Sequence, residues 1–109
     1  MNTEAVLQNH LLSAQAGVEA VLGDYSEDSI LVTDKATYSG LAEIRQFWVD
    51  LFNSPRGQFL ESFTMDRQEI VGEMAYIYWH ARPWISSATD TFVVRDGKIL
   101  FQTFTECCA

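Results

Sequence analysis

The order of elements along residues 25–52 constrains the fold of this chain more than any other feature. Residues 29–33 are a short β-branched and apolar run that predicts a strand. After a break at residues 34–36, Gly40 stands where a helix N-cap is expected, and Glu43 favours the positive end of that helix. The apolar side chains that follow recur at helical spacing: Ile44, Phe47, Trp48 and Leu51. A strand that ends beside Asp34 can carry an ionisable group to the rim of a cavity.

Helices are predicted before this stretch and strands after it. The first helix is expected at Thr3–Ala16 with Thr3 as its N-cap, and a shorter helix follows Gly17 and extends to Tyr25. Asp96 and Gly97 form a strong two-residue hairpin signal. Extended segments are predicted at residues 59–71, 74–82, 88–95 and 98–105. Helices followed by a meander of strands favour an α+β fold with the helices on one side of an antiparallel sheet.

Length and charge exclude several classes of protein. The 109 residues suit one domain spanning 1–109. A formal net charge of -8 argues against nucleic-acid binding and against an anionic membrane surface. No apolar run approaches the length of a membrane span, so we expect a soluble, cytoplasmic protein. The adjacent Cys107 and Cys108 are expected to be reduced thiols in a frayed tail.

The aromatic content and the strand pattern indicate a cavity, a subunit interface, or both. Seven Phe, four Tyr and three Trp exceed what a small core needs. Residues 75–80 are apolar or aromatic at both parities, whereas a sheet with one solvated face alternates cleanly. Two covered faces predict helices over one side and a second subunit over the other. Tyr78 and His80 then face either the cavity or the dimer partner.

Three motifs resemble those of a known family. Tyr25-x-x-Asp28 before the strand, Gly40-x-x-x-Ile44 on the helix, and residues 90–99 near the C-terminus are similar to the SnoaL-like branch of the NTF2-like superfamily, which includes the ketosteroid isomerases. The resemblance implies a cone in which N-terminal helices pack on the concave face of a curved antiparallel (mixed) sheet. It also implies a pocket inside the cone and a homodimer formed through the sheet.

The resemblance also suggests site residues. Ketosteroid isomerases use an aspartate base and an oxyanion hole made of a tyrosine and a protonated aspartate. Asp90 matches the oxyanion-hole aspartate, because it stands two residues before Phe92 as in the family's Asp-x-Phe. Asp34 is the candidate base, although counting from Tyr25 without a gap places Thr33 there instead. His10 falls where the family has its tyrosine.

The remaining site predictions concern the lining of the pocket. Its expected side chains are Trp48, Phe63, Tyr78, His80, Trp84, Phe92 and Phe104. Two histidines far apart in the chain, without clustered carboxylates, do not predict a metal site, and the family chemistry needs no cofactor.

Two functions fit this pattern. The first is a cofactor-independent isomerase, cyclase or dehydratase that moves a proton alpha to a carbonyl of a small hydrophobic molecule. In it Asp34 removes the proton, and Asp90 with His10 stabilises the enolate. The second is a non-catalytic module for ligand binding or dimerisation, because one fold hosts many functions.

Overall fold

The computed structural model describes residues 2–107, which form three α-helices, a short 3₁₀-helix and six strands. The helices are α1 (Thr3–Ala16), α2 (Val18–Leu22), α3 (Gly40–Asn53) and the 3₁₀-helix Phe59–Ser62. The strands are β1 (Tyr25–Thr33), β2 (Thr37–Ser39), β3 (Thr64–Val71), β4 (Met74–Ala81), β5 (Ile85–Arg95) and β6 (Lys98–Cys107). The helices pack on one curved, unclosed sheet, so the predicted α+β class is confirmed.

The sheet is mixed, in the order β2-β1-β6-β5-β4-β3. Strand β1 runs parallel to β6, and every other neighbouring pair is antiparallel. The β5–β6 hairpin turns at Asp96 and Gly97, whose φ angles of 53° and 76° are the two positive values that a type I′ turn requires. The parallel β1–β6 pair joins the N-terminal part of the chain to its last strand.

Several boundaries differ from the sequence predictions. Asn2, rather than Thr3, caps α1, and its Oδ1 accepts from the Ala5 N–H at 2.7 Å. Tyr25 begins β1 instead of ending a helix. The predicted strand at residues 59–71 is shorter, because residues 59–62 form the 3₁₀-helix. Cys107 ends β6 opposite Ser87, so the frayed-tail prediction is wrong for that residue, and Cys108 lies outside the described residues.

Alternation along the strands determines which side chains face the helices. On β4 the buried side chains are Ala75, Ile77, Trp79 and Ala81, while Tyr78 is exposed. On β5 the inward positions include Asp90 and Phe92, and on β6 the opposite residues are Phe104 and Gln102. Ile44 and Trp48 of α3 pack against this inner face together with Leu7 of α1. The aromatic surplus is thus concentrated on the concave side of the sheet.

Candidate functional site

Asp90 is held at the centre of the concave face by donors from both neighbouring strands. Its Oδ1 accepts from Trp79 Nε1 at 2.7 Å, and its Oδ2 accepts from Gln102 Nε2 at 2.9 Å. Ile77 lies directly opposite Asp90 on β4, and Phe104 lies opposite it on β6. Trp79 and Gln102 therefore stand on the diagonals, where long side chains on the same face can still meet.

Burial raises the pKa of Asp90 from 3.8 to about 6. The Trp79 and Gln102 hydrogen bonds oppose this rise, and so does the electrostatic influence of His10. Removal from water dominates, because a charged carboxylate in an apolar interior loses hydration that two N–H donors do not fully replace. Asp90 thus exchanges its proton close to neutral pH.

Tyr25 extends the hydrogen-bonded group on the other side of Gln102. Its hydroxyl donates to Gln102 Oε1 at 2.5 Å, and burial raises the pKa of Tyr25 above its usual range. The Trp48 indole N–H lies near enough to that hydroxyl to counteract part of the rise. It nevertheless makes no hydrogen bond of acceptable geometry with Tyr25 or with any other described residue. Because a misaligned contact satisfies an N–H poorly, the Trp48 donor remains unpaired within the described residues.

His10 of α1 forms a buried pair with Asp24, which lies between α2 and β1. His10 Nδ1 is 3.0 Å from Asp24 Oδ2, and both side chains are almost fully buried. Asn9 Nδ2 donates to the other carboxylate oxygen of Asp24 at 3.0 Å. Because a carboxylate accepts hydrogen bonds, this contact assigns the hydrogen to Nδ1 and leaves Nε2 as the other ring nitrogen.

The His10 ring is enclosed by aromatic side chains. Its centroid is 5.7 Å from the ring of Tyr25, 5.8 Å from that of Trp48 and 5.5 Å from that of Phe92, all in edge arrangements. Edge contacts of this kind orient a ring as well as bury it. Asp24 and these three rings together restrict His10 to one orientation.

Two small cavities lie between the helices and the concave face. One, of about 50 Å³, is lined by His10 and Asp90 together with Phe63 and Phe92. The other, of about 40 Å³, is lined by Asp90, Phe47 and Phe104. Five residues border both: Trp48, Phe59, Trp79, Asp90 and Gln102. His10 and Asp90, two of the three predicted catalytic residues, therefore line one apolar cavity.

A wider cleft opens to solvent beside the first cavity. It has a volume of about 750 Å³ and lies between the end of α1 and residues 57–63. Ala14, Leu60 and Phe63 line both the cleft and the cavity that holds His10. These three residues therefore separate the cavity from the cleft.

Asp34 does not join this group. It is exposed in the turn between β1 and β2, whereas Asp90 is buried, so the predicted convergence of the two acids inside the cone is wrong. Thr33 is the residue of β1 that pairs with Phe104, which itself pairs with Asp90. The ungapped count therefore locates the inward position correctly. The Thr33 hydroxyl is engaged in the turn, where it accepts from the N–H groups of Lys35 and Ala36.

Three predicted lining residues lie elsewhere. Tyr78 and His80 share the outer face of β4, and His80 Nδ1 is 2.7 Å from Asp66 Oδ2. Trp84 is exposed in the turn between β4 and β5. The assignment of Tyr78 and His80 to the pocket is wrong because the inward parity of β4 belongs to Ala75, Ile77 and Trp79. The assignment of Trp84 is wrong because Trp84 lies in a turn outside β4. Trp48, Phe63, Phe92 and Phe104 do line the cavities.

Sequence reasoning missed four polar partners of the site: Asp24, Tyr25, Trp79 and Gln102. Gln102 had a detectable signal, because it shares its parity on β6 with the inward Phe104. Trp79 had one too, since its parity on β4 contains the small Ala75 and Ala81 that a helix-covered face prefers. Asp24 had none, because its pairing with His10 depends on how α1 packs.

A helix-covered, curved and unclosed sheet of this topology is the NTF2-like fold. Solved structures match nearly the whole chain. The match to an NTF2-like protein of unknown function from Mesorhizobium loti (17% identity, TM-score 0.75) covers 97% of this chain and 91% of the M. loti chain. A candidate polyketide cyclase from Sinorhizobium meliloti (16%, 0.74) covers 92% and 93%. A protein from Catenulispora acidiphila with a ketosteroid isomerase-like fold, in complex with trimethylamine (11%, 0.67), covers 91% and 82%.

The predicted resemblance to the NTF2-like superfamily is thus confirmed at the level of the fold. No family model matches the chain, and no curated protein matches its sequence. Within residues 2–107, no helix is long and apolar enough to cross a membrane. Among the same residues, no three His, Cys, Asp or Glu side chains cluster as metal ligands.

Proposed function

We propose that this protein is a cofactor-independent enzyme that transfers a proton alpha to a carbonyl of a small hydrophobic molecule, as an isomerase, cyclase or dehydratase does. One observation carries the proposal: His10 and Asp90 line the same cavity inside an aromatic enclosure. Two titratable groups of different kind beside one water-poor space are what general acid–base chemistry requires.

His10 takes the role of base that the sequence suggested for Asp34. With Nδ1–H bound to Asp24, the neutral ring directs its lone pair from Nε2, and the three surrounding rings hold that orientation. Asp90, whose pKa is about 6, receives that proton as a carboxylate from the His10 imidazolium and returns it at a second position of the substrate, which restores both side chains to their starting states. Its carboxylate oxygens already accept from Trp79 and Gln102, so it serves better as a proton carrier than as an oxyanion donor.

The size of the cavity limits the substrate. About 50 Å³ is well below the roughly 300 Å³ at which pockets for drug-sized ligands begin. The arrangement therefore favours a substrate of few heavy atoms, or one whose reactive end alone reaches His10 while the rest occupies the 750 Å³ cleft. Leu60 and Phe63, which border both spaces, would move to admit the second kind.

Hydrogen exchange in heavy water tests the proposal without knowledge of the natural substrate. The protein is mixed with small ketones such as cyclopentanone and cyclohexanone, and the loss of their alpha-proton signals is followed by NMR. We expect exchange above the buffer rate, with His10→Gln and Asp90→Asn each lowering it by roughly 100-fold or more.

Asp34→Asn is the matched control, because it replaces an aspartate with asparagine as Asp90→Asn does, but at an exposed position. It should retain the wild-type exchange rate. The enzymatic proposal would be refuted if no ketone exchanged faster than in buffer. It would also be refuted if His10→Gln and Asp90→Asn both kept the wild-type exchange rate.

A non-catalytic small-molecule-binding module is the second candidate. This function is favoured by the hydrogen bonding of Asp90, because each of its carboxylate oxygens already accepts a hydrogen bond from the protein. Buried acids with a purely structural role are hydrogen-bonded in the same way. Under this function, ketones bind in the cavity without any exchange of their alpha protons. The same NMR samples therefore separate the two candidates.

We also propose that the chain forms a homodimer through the outer face of the sheet. Large apolar side chains are exposed on three strands, β1, β4 and β6: Val32, Met74, Tyr78 and Phe101. Exposed apolar area of this kind is commonly buried between subunits. Light scattering coupled to size-exclusion chromatography should give twice the chain mass for the wild type and one chain mass for Phe101→Glu. A monomeric wild type at high micromolar concentration would contradict the proposal.

A further inference from the structure

Trp48 carries a buried donor that has no well-aligned hydrogen-bond partner within the described residues. Its side chain is 6% exposed, and its Nε1 is the one fully buried side-chain nitrogen or oxygen of residues 2–107 without a hydrogen-bond partner. A buried donor left unsatisfied destabilises the folded state, so its persistence needs an explanation. Trp48 also borders both inner cavities.

Each of the other donor atoms at the site already makes at least one hydrogen bond. Trp79 Nε1 and Gln102 Nε2 donate to Asp90, and the Tyr25 hydroxyl donates to Gln102. His10 Nδ1 is directed at Asp24. The remaining polar groups of His10 and Asp90 act as acceptors in the neutral-ring and carboxylate states. Among the side chains that border this cavity, Trp48 therefore carries the one donor atom without a hydrogen-bond partner within the described residues.

We infer that Trp48 Nε1–H binds the carbonyl oxygen of the ligand in the cavity beside His10 and Asp90. This inference rests on the ligand site of the proposed function, but it does not require that the site be catalytic. It also names the class of ligand: a ketone or aldehyde, whose oxygen accepts and whose remaining surface is apolar. A molecule whose polar group only donates would leave Trp48 unsatisfied.

In the proposed reaction this donor would act on the developing enolate. As His10 removes the alpha proton, the C–H electron pair forms the carbon–carbon double bond and the carbonyl pair moves to oxygen. Negative charge then accumulates on the atom that Trp48 Nε1–H contacts. A donor fixed in a water-poor site stabilises such charge more than it stabilises the neutral carbonyl.

The experiment is an NMR titration of the wild-type protein labelled with ¹⁵N. The three Trp residues give three indole N–H signals, and the signal of Trp48 is identified by its loss in Trp48→Phe. Cyclopentanone is the probe, and cyclopentane is the matched ligand of the same ring size without an acceptor. We expect cyclopentanone to shift the Trp48 N–H signal downfield, and cyclopentane to leave it without a downfield shift.

Affinity gives the second readout. Trp48→Phe should weaken cyclopentanone binding about 2- to 10-fold, as the loss of one neutral hydrogen bond predicts, and should change cyclopentane binding less. Trp84→Phe is the control, because it makes the same substitution at an exposed tryptophan outside both cavities, and it should leave both affinities unchanged.

An unmoved Trp48 signal at concentrations where cyclopentanone perturbs other cavity residues would overturn the inference, as would a failure of cyclopentanone to bind. Equal losses of affinity for the two ligands would overturn it as well, because they would indicate a packing effect. If Trp48→Phe does not fold, the wild-type titration decides, with the Trp48 signal assigned through neighbouring protons. Binding at Trp48 without hydrogen exchange would support this inference and refute the enzymatic proposal, whereas exchange without the shift would do the reverse.

Discussion

Replacing Asp90 with asparagine should change how the stability of the protein depends on pH. In the folded state the carboxyl group is buried and its pKa is about 6, against 3.8 when exposed. The folded protein therefore binds the Asp90 proton more tightly than the unfolded chain does. Folding is favoured by this group below pH 3.8, and that contribution is lost as the pH rises through about 6.

The magnitude follows from the two pKa values. Each pKa unit corresponds to about 1.4 kcal/mol, so the interval between 3.8 and about 6 corresponds to about 3 kcal/mol of unfolding free energy. The asparagine side chain does not titrate, so the Asp90→Asn variant lacks this contribution. The free energy of unfolding of Asp90→Asn, relative to the wild type, should rise by about 3 kcal/mol between about pH 3 and about pH 7.

Urea unfolding of both proteins across that pH range provides the measurement. In Asp90→Asn an amide nitrogen replaces one carboxylate oxygen, so an N–H donor then faces the N–H of Trp79 or that of Gln102. This mismatch adds a fixed cost to the stability of the variant. That cost does not vary with pH, so the slope of the difference isolates the titration of residue 90.

Asp34→Asn supplies the control, because the same chemical change then falls on an exposed turn. Its stability curve should run parallel to that of the wild type. If the Asp90→Asn curve were also parallel to the wild type across the whole pH range, the argument that burial raises the pKa of Asp90 would be refuted.

Three further substitutions test the fold. Ile44→Ala should lower the free energy of unfolding by about 2–5 kcal/mol in urea titrations, because Ile44 is 0% exposed under α3; a loss below about 1 kcal/mol would mean that the helix is not packed as described. Asn2→Ala should cost about 1 kcal/mol through loss of the α1 cap, and Asn2→Asp, which retains an acceptor, should cost less; equal losses would contradict the capping role. Gly97→Ala should cost about 1 kcal/mol, because φ is +76° while a Cβ there meets no atom within 4 Å, and an unchanged thermal midpoint would argue against the type I′ turn.

Local sequence determined the elements whose causes lie within a few residues. The bounds of α1 follow from its apolar spacing and from Gly17. The start of α3 was predicted to within one residue: Ser39, rather than Gly40, is the N-cap, and Gly40 is the first residue of the helix. The β5–β6 turn follows from Asp96 and Gly97. The inward direction of Asp90 could also be predicted, because it shares its strand parity with Phe92.

Only the tertiary structure decided which of these elements meet. Asp24 reaches His10 because α1 folds back over the start of β1, and no local pattern relates two residues 14 positions apart. Gln102 joins Tyr25 to Asp90 because β6 pairs in parallel with β1 on one side and antiparallel with β5 on the other. The sequence did not show which face of β4 is buried, because both sets of alternating residues are largely apolar. In the structure, the set that includes the small Ala75 and Ala81 faces the helices. Periodicity orients a side chain within its own element, whereas contacts between elements arise from the burial that the whole chain achieves at once.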